Sequence, residues 1–589
     1  MTTIILTALL LLSSCTTMKI DSQAETGKSA SRIFHNLLDE QWEKGLLDNP
    51  EWATRLGDNR YNDRLNDVSF AAVQKRQDEQ RSLLETVKSI KREKLSPNDQ
   101  LNYDLFRQRI ERDIAGYSYL THLMPMDQMG GIQIGFADLP DYMPYKTVQD
   151  YENYLARLKA FPAKVEQIIE LMQRGIQTNW VPPRIVLRSV SDQIKAQYDQ
   201  EIDNSPLWKP FQEFPTSFTA GSKQNLLHKG RLAIEKDVYP AYRKLHEYFT
   251  GTYLPSCRET IACSDFPNGD AYYRSRIKNY TTTDLTAGEI HQIGLDEVDR
   301  IKSEMLKVIA AAGFEGEFDE FLTFLRSDPQ FYFTSSEALL DEYRNICKLA
   351  DAQLPQLFGL LPRLPYGVRP IPDYQAPASP TAYYYSGSWE AGRPGYFMAS
   401  TYKLETRPKY EMEALSLHEA VPGHHLQIAL AQELEEMPMF RRYSGYTAFV
   451  EGWGLYAEKL GEEMGFYTEP YSKFGQLTYE MWRACRLVVD TGMHARGWSR
   501  QQAIEFMLAN TAKTENDVIV EIDRYIAWPG QALAYKIGEL KIRELRRRAE
   551  AEMGANFNIR DFHDVVLGSG AVPLNILEKQ VDDYIRNGK

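Results

Sequence analysis

The stretch Leu417 to Gln427, LHEAVPGHHLQ, places His418, Glu419, His424 and His425 within eight positions. The chain has ten histidines in all, so three gathered here point to a metal. In the helical zinc signature H-E-x-x-H, two imidazoles one turn apart hold Zn²⁺ and the intervening Glu polarises a water. This sequence departs from that pattern, because Pro422 follows His418 at four residues and the next imidazoles stand at six and seven. On an unbroken helix the sixth residue lies roughly 240° round from the first, and the seventh about 10 Å further along the axis. Neither reaches. Proline breaks the hydrogen-bond ladder and glycine accepts unusual dihedrals, so Pro422 and Gly423 predict a bulge or kink that absorbs two residues. That would bring His424, rather than His425, to the second ligand position, with His425 supporting the ligands from behind. The alternative is a helix that ends at Pro-Gly with histidines in a loop, which leaves the adjacent His-Glu pair without a role.

A catalytic zinc takes three protein ligands and leaves one position for water. The best supplier of the third is Tyr446 to Leu460, YTAFVEGWGLYAEKL, where Glu451 interrupts an apolar run. A carboxylate there is costly unless paired or bound to a cation. Glu458, seven residues on, shares its face and is placed to orient a ligand imidazole. Glu419, adjacent to a ligand, is placed to take a proton from the water and hand it to a leaving amine. Further on, Asp490, His494 and Arg496 punctuate an apolar helix; His494 either stabilises charge on a tetrahedral intermediate or is a structural imidazole. Tyr525 and Tyr535 stand ten apart across a Pro-Gly break. Either could donate a hydrogen bond to the oxyanion, and Arg524 or Lys536 could hold a substrate carboxylate.

Four blocks in order, HEAVPGHHLQ, FVEGWGLYAE, RLVVDTGMHARGWS and EIDRYIAWPGQALAYKIG, resemble the bacterial family catalogued as domain of unknown function 885. DNPEWATRLGDNRYNDRLND near the start and FHDVVLGSGAVPL near the end carry the resemblance over nearly the whole chain. It implies a mainly α, zincin-like metallopeptidase fold, distantly similar to thimet-type oligopeptidases and carboxypeptidases, with a small β element beside the metal-binding helix. It also implies that the histidine after Pro-Gly is the constant one, which agrees with His424. In zincin folds an extended strand before the metal helix offers its edge to a bound peptide. AYYYSG and RPGYFMAST have strand character. Gly395 to Thr401 is the candidate edge, with Arg393, Gly395 and Tyr396 expected to meet substrate; an ordinary core hairpin is the alternative.

The elements that must position these groups are helical. Phe34, Leu37, Leu38, Trp42 and Leu46 repeat at three and four, as do Tyr151, Tyr154, Leu155, Leu158, Phe161 and Val165. Thr286 three residues before Glu289 reads as a capping box, with Gly313 as the stop. Residues 31–370 are expected to form a helical N-terminal region, residues 371–589 the metal-binding region, and the two one continuous fold. The proline-dense run from Leu361 to Pro380 reads as an irregular passage between them. MTTIILTALLLLSSC reads as a secretion signal with a lipoprotein cleavage box at Cys15, although it lacks the usual basic residues, and residues 16–30 as a tether. Export with a lipid anchor follows, on the periplasmic face of the outer membrane in a Gram-negative cell. Cys257 and Cys263 could close a small loop, whereas Cys347 and Cys485 read as buried thiols. A net charge of −13 argues against a nucleic-acid partner. The sequence thus predicts a zinc-dependent hydrolase acting on a peptide or amide. An amidase or esterase on another substrate, or a surface lipoprotein with a structural or degenerate metal site, are the alternatives.

Overall fold

The computed structural model describes residues 30–373 and 375–588. The signal, Cys15 and the tether up to residue 29 lie outside the described residues. Helices dominate because apolar residues recur at three and four over long stretches. Helix α1 (Val148–Thr178) is an instance: Thr147 and Asp150 cap it reciprocally, and Asn179 ends it in the left-handed conformation at φ 59°. Tyr151, Tyr154, Leu158, Phe161 and Val165 are buried, each side chain worth about 1.5–3 kcal/mol by apolar transfer. Helix α2 (Ala287–Ala311) starts at the Thr286–Glu289 capping box, and Gly313 follows its end at φ 69°. Helix α3 (Ser336–Leu357) leads into the sheet.

Among the described residues the sheet has three strands, β1 (Tyr366–Pro370), β2 (Ala382–Tyr385) and β3 (Gly395–Ala399), in the order β1-β3-β2. β1 runs parallel to β3 with Tyr366 opposite Gly395, and β2 antiparallel to it with Ala382 opposite Ala399. The strand expected to offer an edge is therefore the central one, hydrogen-bonded on both sides. The edge beside the helix that carries His418 belongs to β2, which pairs on one side only among the described residues. β1 is hidden in the proline-dense run, and it tolerates Pro370 because that residue ends the strand. The sheet takes β1 from before residue 371 and its other strands from after it. One apolar core runs from Phe34 to Ile585.

Of the helices that follow, six frame the site: α4 (Met412–Glu419), α5 (His424–Glu433), α6 (Thr447–Leu460), α7 (Pro470–Ala495), α8 (Glu515–Ala527) and α9 (Ala534–Met553). α2 lies along the back of α7, so close that a Cβ on Gly294 would come within 2.8 Å of Leu487. α6 and α9 meet backbone to backbone: a Cβ on Gly538 would fall 1.8 Å from the Ala448 carbonyl. These two contacts set α6, α7 and α9 around α4. No helix among the described residues is long and apolar enough to cross a membrane. Cys257 and Cys263 are both free and buried, as are Cys347 and Cys485, so the small loop that the first two could close is not closed by a disulfide.

Candidate metal centre

Helix α4 ends at Glu419 and α5 begins at His424, so the chain breaks fully between them rather than bulging within one helix. Ala420 leaves helical space at φ −99°, ψ −111°, and the Val421–Pro422 peptide bond is cis. The gap is closed by hydrogen bonds: the His425 N–H donates to the Ala420 carbonyl at 3.0 Å, and the Trp453 indole donates to the Pro422 carbonyl at 2.8 Å. Gly423 is required here, since a Cβ would stand 1.9 Å from the His418 carbonyl oxygen. The turn brings His424 back beside His418, ring centroids 4.6 Å apart.

Glu451 on α6 completes the group. Its Oε2 lies 3.6 Å from His418 Nε2 and 3.4 Å from His424 Nε2, and one donor atom from each residue lies within 4.8 Å of the other two. A zinc ion about 2.1 Å from each ligand sets its tetrahedral ligands about 3.4 Å from one another. The two carboxylate–imidazole distances are those of ligands round an ion, and two imidazoles with one carboxylate are a catalytic zinc donor set. The residues therefore fit the metal.

Electrostatics agree with this. His418 Nδ1 donates to Glu458 Oε1 at 2.7 Å, which turns Nε2 toward the shared point. Arg483 holds the same Glu458 oxygen from 3.3 Å. Burial opposes a charged His418, but Glu451 and Glu458 outweigh it and raise its pKa to about 9. Burial likewise opposes ionisation of Glu451, yet His418 and His424 hold its carboxyl well below the usual range. Two carboxylates, Glu451 and Glu458, face the one His418 imidazole from either side, a surplus of negative charge that a cation offsets.

The centre opens into a cavity of about 370 Å³. Glu419 lines it, next to its neighbour His418. Tyr383 and Tyr384 of β2 form one wall, and Trp482, Arg483 and Arg486 of α7 another. Tyr535 and Arg524 also line it, the Tyr535 ring stacking toward His418 at 6.4 Å.

Several expected site residues lie elsewhere. The Tyr525 hydroxyl takes hydrogen bonds from Trp482 at 3.0 Å and Arg486 at 2.6 Å and donates to Glu521 at 2.7 Å. With its hydrogen bonds spent on these neighbours it props Arg486 and does not face the cavity. His494 accepts from the Cys263 N–H at 3.3 Å and donates to the Tyr525 carbonyl at 3.0 Å. Burial lowers its pKa to about 4, so it is a neutral structural imidazole outside the cavity lining. Arg393 is spent on the Arg55 and Ser386 carbonyls at 3.0 and 3.4 Å. Gly395 lies against Tyr384 inside the sheet, and Tyr396 lies under the Arg369 guanidinium at 3.7 Å. None of these three lines the cavity. Lys536 is locked into buried ion pairs with Glu297, Glu480 and Glu539 at 2.8–3.0 Å. His425 faces the sheet rather than the ligands: its Nδ1 meets the Tyr384 hydroxyl at 2.9 Å and its ring lies 4.5 Å from that of Tyr366. Burial lowers its pKa to about 4.

Arg483, Arg486 and Trp482 were not singled out from sequence. The available signal was WRACR, two charges within the long apolar face of α7, the same kind of interruption that exposed Glu451.

Fold and site together define a mainly helical protein with a buried centre of two imidazoles and one carboxylate, suited to a divalent ion. The model of the family described as "Bacterial protein of unknown function (DUF885)" matches residues 50–581, and the chain belongs to that family. The crystal structure of a "putative lipoprotein" from Colwellia psychrerythraea is similar to it at 30% identity and a TM-score of 0.89, covering 95% of this chain and 99% of that one. A "putative lipoprotein of unknown function" from Shewanella oneidensis is similar at 16% identity and a TM-score of 0.71, covering 92% and 98%, and shows the shared fold alone. Among curated proteins none matches.

Proposed function

We propose that this protein is a zinc-dependent hydrolase of zincin-like type that cleaves peptide amide bonds with an activated water. The observation that carries the reading is that Glu451 stands at tetrahedral-edge distances from both His418 and His424, all three donors within 4.8 Å of one another, with Glu419 beside them at the cavity wall. Bound there, zinc would supply a Lewis acid that acidifies water and polarises a carbonyl. Glu458 keeps the proton on His418 Nδ1 and so holds the ring in its ligating tautomer. The Glu419 carboxylate takes the proton released by the attacking water and returns it to the departing amine nitrogen. Tyr535, the one of the two candidate tyrosines that lines the cavity, donates its hydroxyl to the oxygen on which charge develops. The β2 edge, bordering the same cavity, offers main-chain groups to align an extended substrate.

The test is metal analysis of the purified chain with a chelator-sensitive cleavage assay on mixed peptides. Glu419→Gln is expected to keep zinc and lose turnover by at least about a thousandfold, whereas His418→Ala loses both. A Glu419→Gln variant with full activity refutes the assignment. Export with a lipid at Cys15 is part of the same proposal, supported by the residues before Cys15 and by the description given to the two similar structures. Cys15→Ser is expected to move the protein from the membrane to the soluble fraction.

A further inference from the structure

The cavity wall that α7 and α8 form beside the metal group carries more positive charge than the metal chemistry calls for. Three guanidiniums, Arg483, Arg486 and Arg524, line the cavity together with Glu419 and Glu451. Two further carboxylates pair with them from behind: Glu458 with Arg483 at 3.3 Å, and Glu521 with Arg486 and Arg524 at 3.0 and 2.9 Å. With a divalent ion in place, five positive charges face four negative ones, so the filled site lacks one anion.

The place for that anion is built. Arg486 is buried, its guanidinium lying 4.6 Å from the Trp482 ring centre and 4.3 Å from that of Tyr535. The Tyr525 hydroxyl fixes its Nε at 2.6 Å. Its Nη1 and the Nε of Arg524 are buried without a hydrogen-bond partner, so these two cavity-lining guanidiniums keep donor capacity that their own carboxylate, Glu521, leaves unfilled. The next cavity, of about 770 Å³, shares Met129, Pro380 and Tyr383 with this one, and its lining includes Asp138 and Asp192 but no lysine or arginine. Charge is therefore graded along the two cavities, positive at the arginine end and negative at the other.

We propose that Arg486 and Arg524 bind the free C-terminal carboxylate of a peptide, so that the protein trims short pieces from C-terminal ends. This rests on the zinc-peptidase reading above. The scale follows from Tyr535, whose ring lies 6.4 Å from His418 and 4.3 Å from the Arg486 carbon, placing the arginine no more than about 11 Å from the histidine. An extended residue spans about 3.3–3.6 Å, so the bound carboxylate sits one to three residues beyond the bond cut. One water adds across that amide, giving a new carboxylate on the shortened chain and a free amine on the released piece.

The experiment uses the full zinc-loaded chain and three peptides of one sequence: free acid, C-terminal amide, and C-terminal amide with an internal aspartate. The expected result is a kcat/KM at least about 100-fold higher for the free acid, with fragments of one to three residues seen by mass spectrometry. Calorimetry on Glu419→Gln should show the same order in binding, and Arg486→Lys should shrink the preference. Should Arg486→Lys not fold, Arg524→Lys takes its place. Equal cleavage of acid and amide overturns this inference and leaves the peptidase reading standing. Cleavage of none, with binding still selective for the free acid, overturns the peptidase reading and leaves the carboxylate site. Equal preference for the aspartate peptide overturns the C-terminal assignment.

Discussion

The Gly454→Ala substitution tests the centre without touching any residue that would bind zinc or move a proton. A Cβ at position 454 would lie 2.7 Å from His418 Cε1 and 2.8 Å from Nε2, against 3.4 Å for ordinary contact. The imidazole must therefore move by about 0.7 Å, or α6 must retreat from it by as much. Metal–ligand distances hold to about 0.2 Å, so the displaced ring either ligates poorly or loses its 2.7 Å bond to Glu458. Displacements of this kind cost about 10–100-fold in metal affinity. At a fixed saturating zinc concentration, the stabilisation that zinc confers falls by about 1.4–2.7 kcal/mol. The metal-free protein behaves differently, because alanine is favoured over glycine inside a helix by up to about 1 kcal/mol, which offsets part of the crowding. Zinc affinity is read by competition with a chromophoric chelator, and stability by thermal unfolding with and without zinc. A variant with unchanged affinity and an unchanged zinc-dependent shift in Tm refutes the placement of His418 as a ligand.

Two other outcomes follow from the geometry. Glu458→Gln keeps a hydrogen-bond acceptor for His418 but removes its charge, and is expected to lower zinc affinity about tenfold; an unchanged value counts against the orienting role. Asp490 is buried against Tyr273 and Gly530, and burial pushes its pKa up to about 7. The folded state then holds a proton that the unfolded state, near pH 3.8, releases, so this group's contribution to stability is largest at low pH and falls as pH rises from about 4 to 7, by about 4 kcal/mol at most. Asp490→Asn should gain on the unaltered protein between pH 5 and pH 8 in denaturant unfolding. A constant difference across that range contradicts the shift.

The chain break and the buried carboxylate were legible because they depend on neighbours in the chain. A His-Glu pair six residues before another imidazole, with Pro-Gly between, announces a break that folds one imidazole back on the other, and a carboxylate inside FVEGW announces a charge that needs a partner. Helical periodicity likewise shows which faces are apolar, since it arises within each helix. What the sequence could not decide is which side chains meet across space. Tyr525 and Tyr535 look alike in the chain, yet α8 turns the first onto Arg486 while α9, pressed on α6 at Gly452 and Gly538, brings the second to His418. AYYYSG and RPGYFMAST both read as strands, but the parallel pairing of β1 closes one edge of β3 and leaves the edge of β2 at the cavity. The arginine wall depends on α2 holding α7 from behind, a contact between residues nearly two hundred positions apart. Local pattern determined which reactive side chains this chain carries and where its helices break; long-range packing alone decided which of those groups stand together.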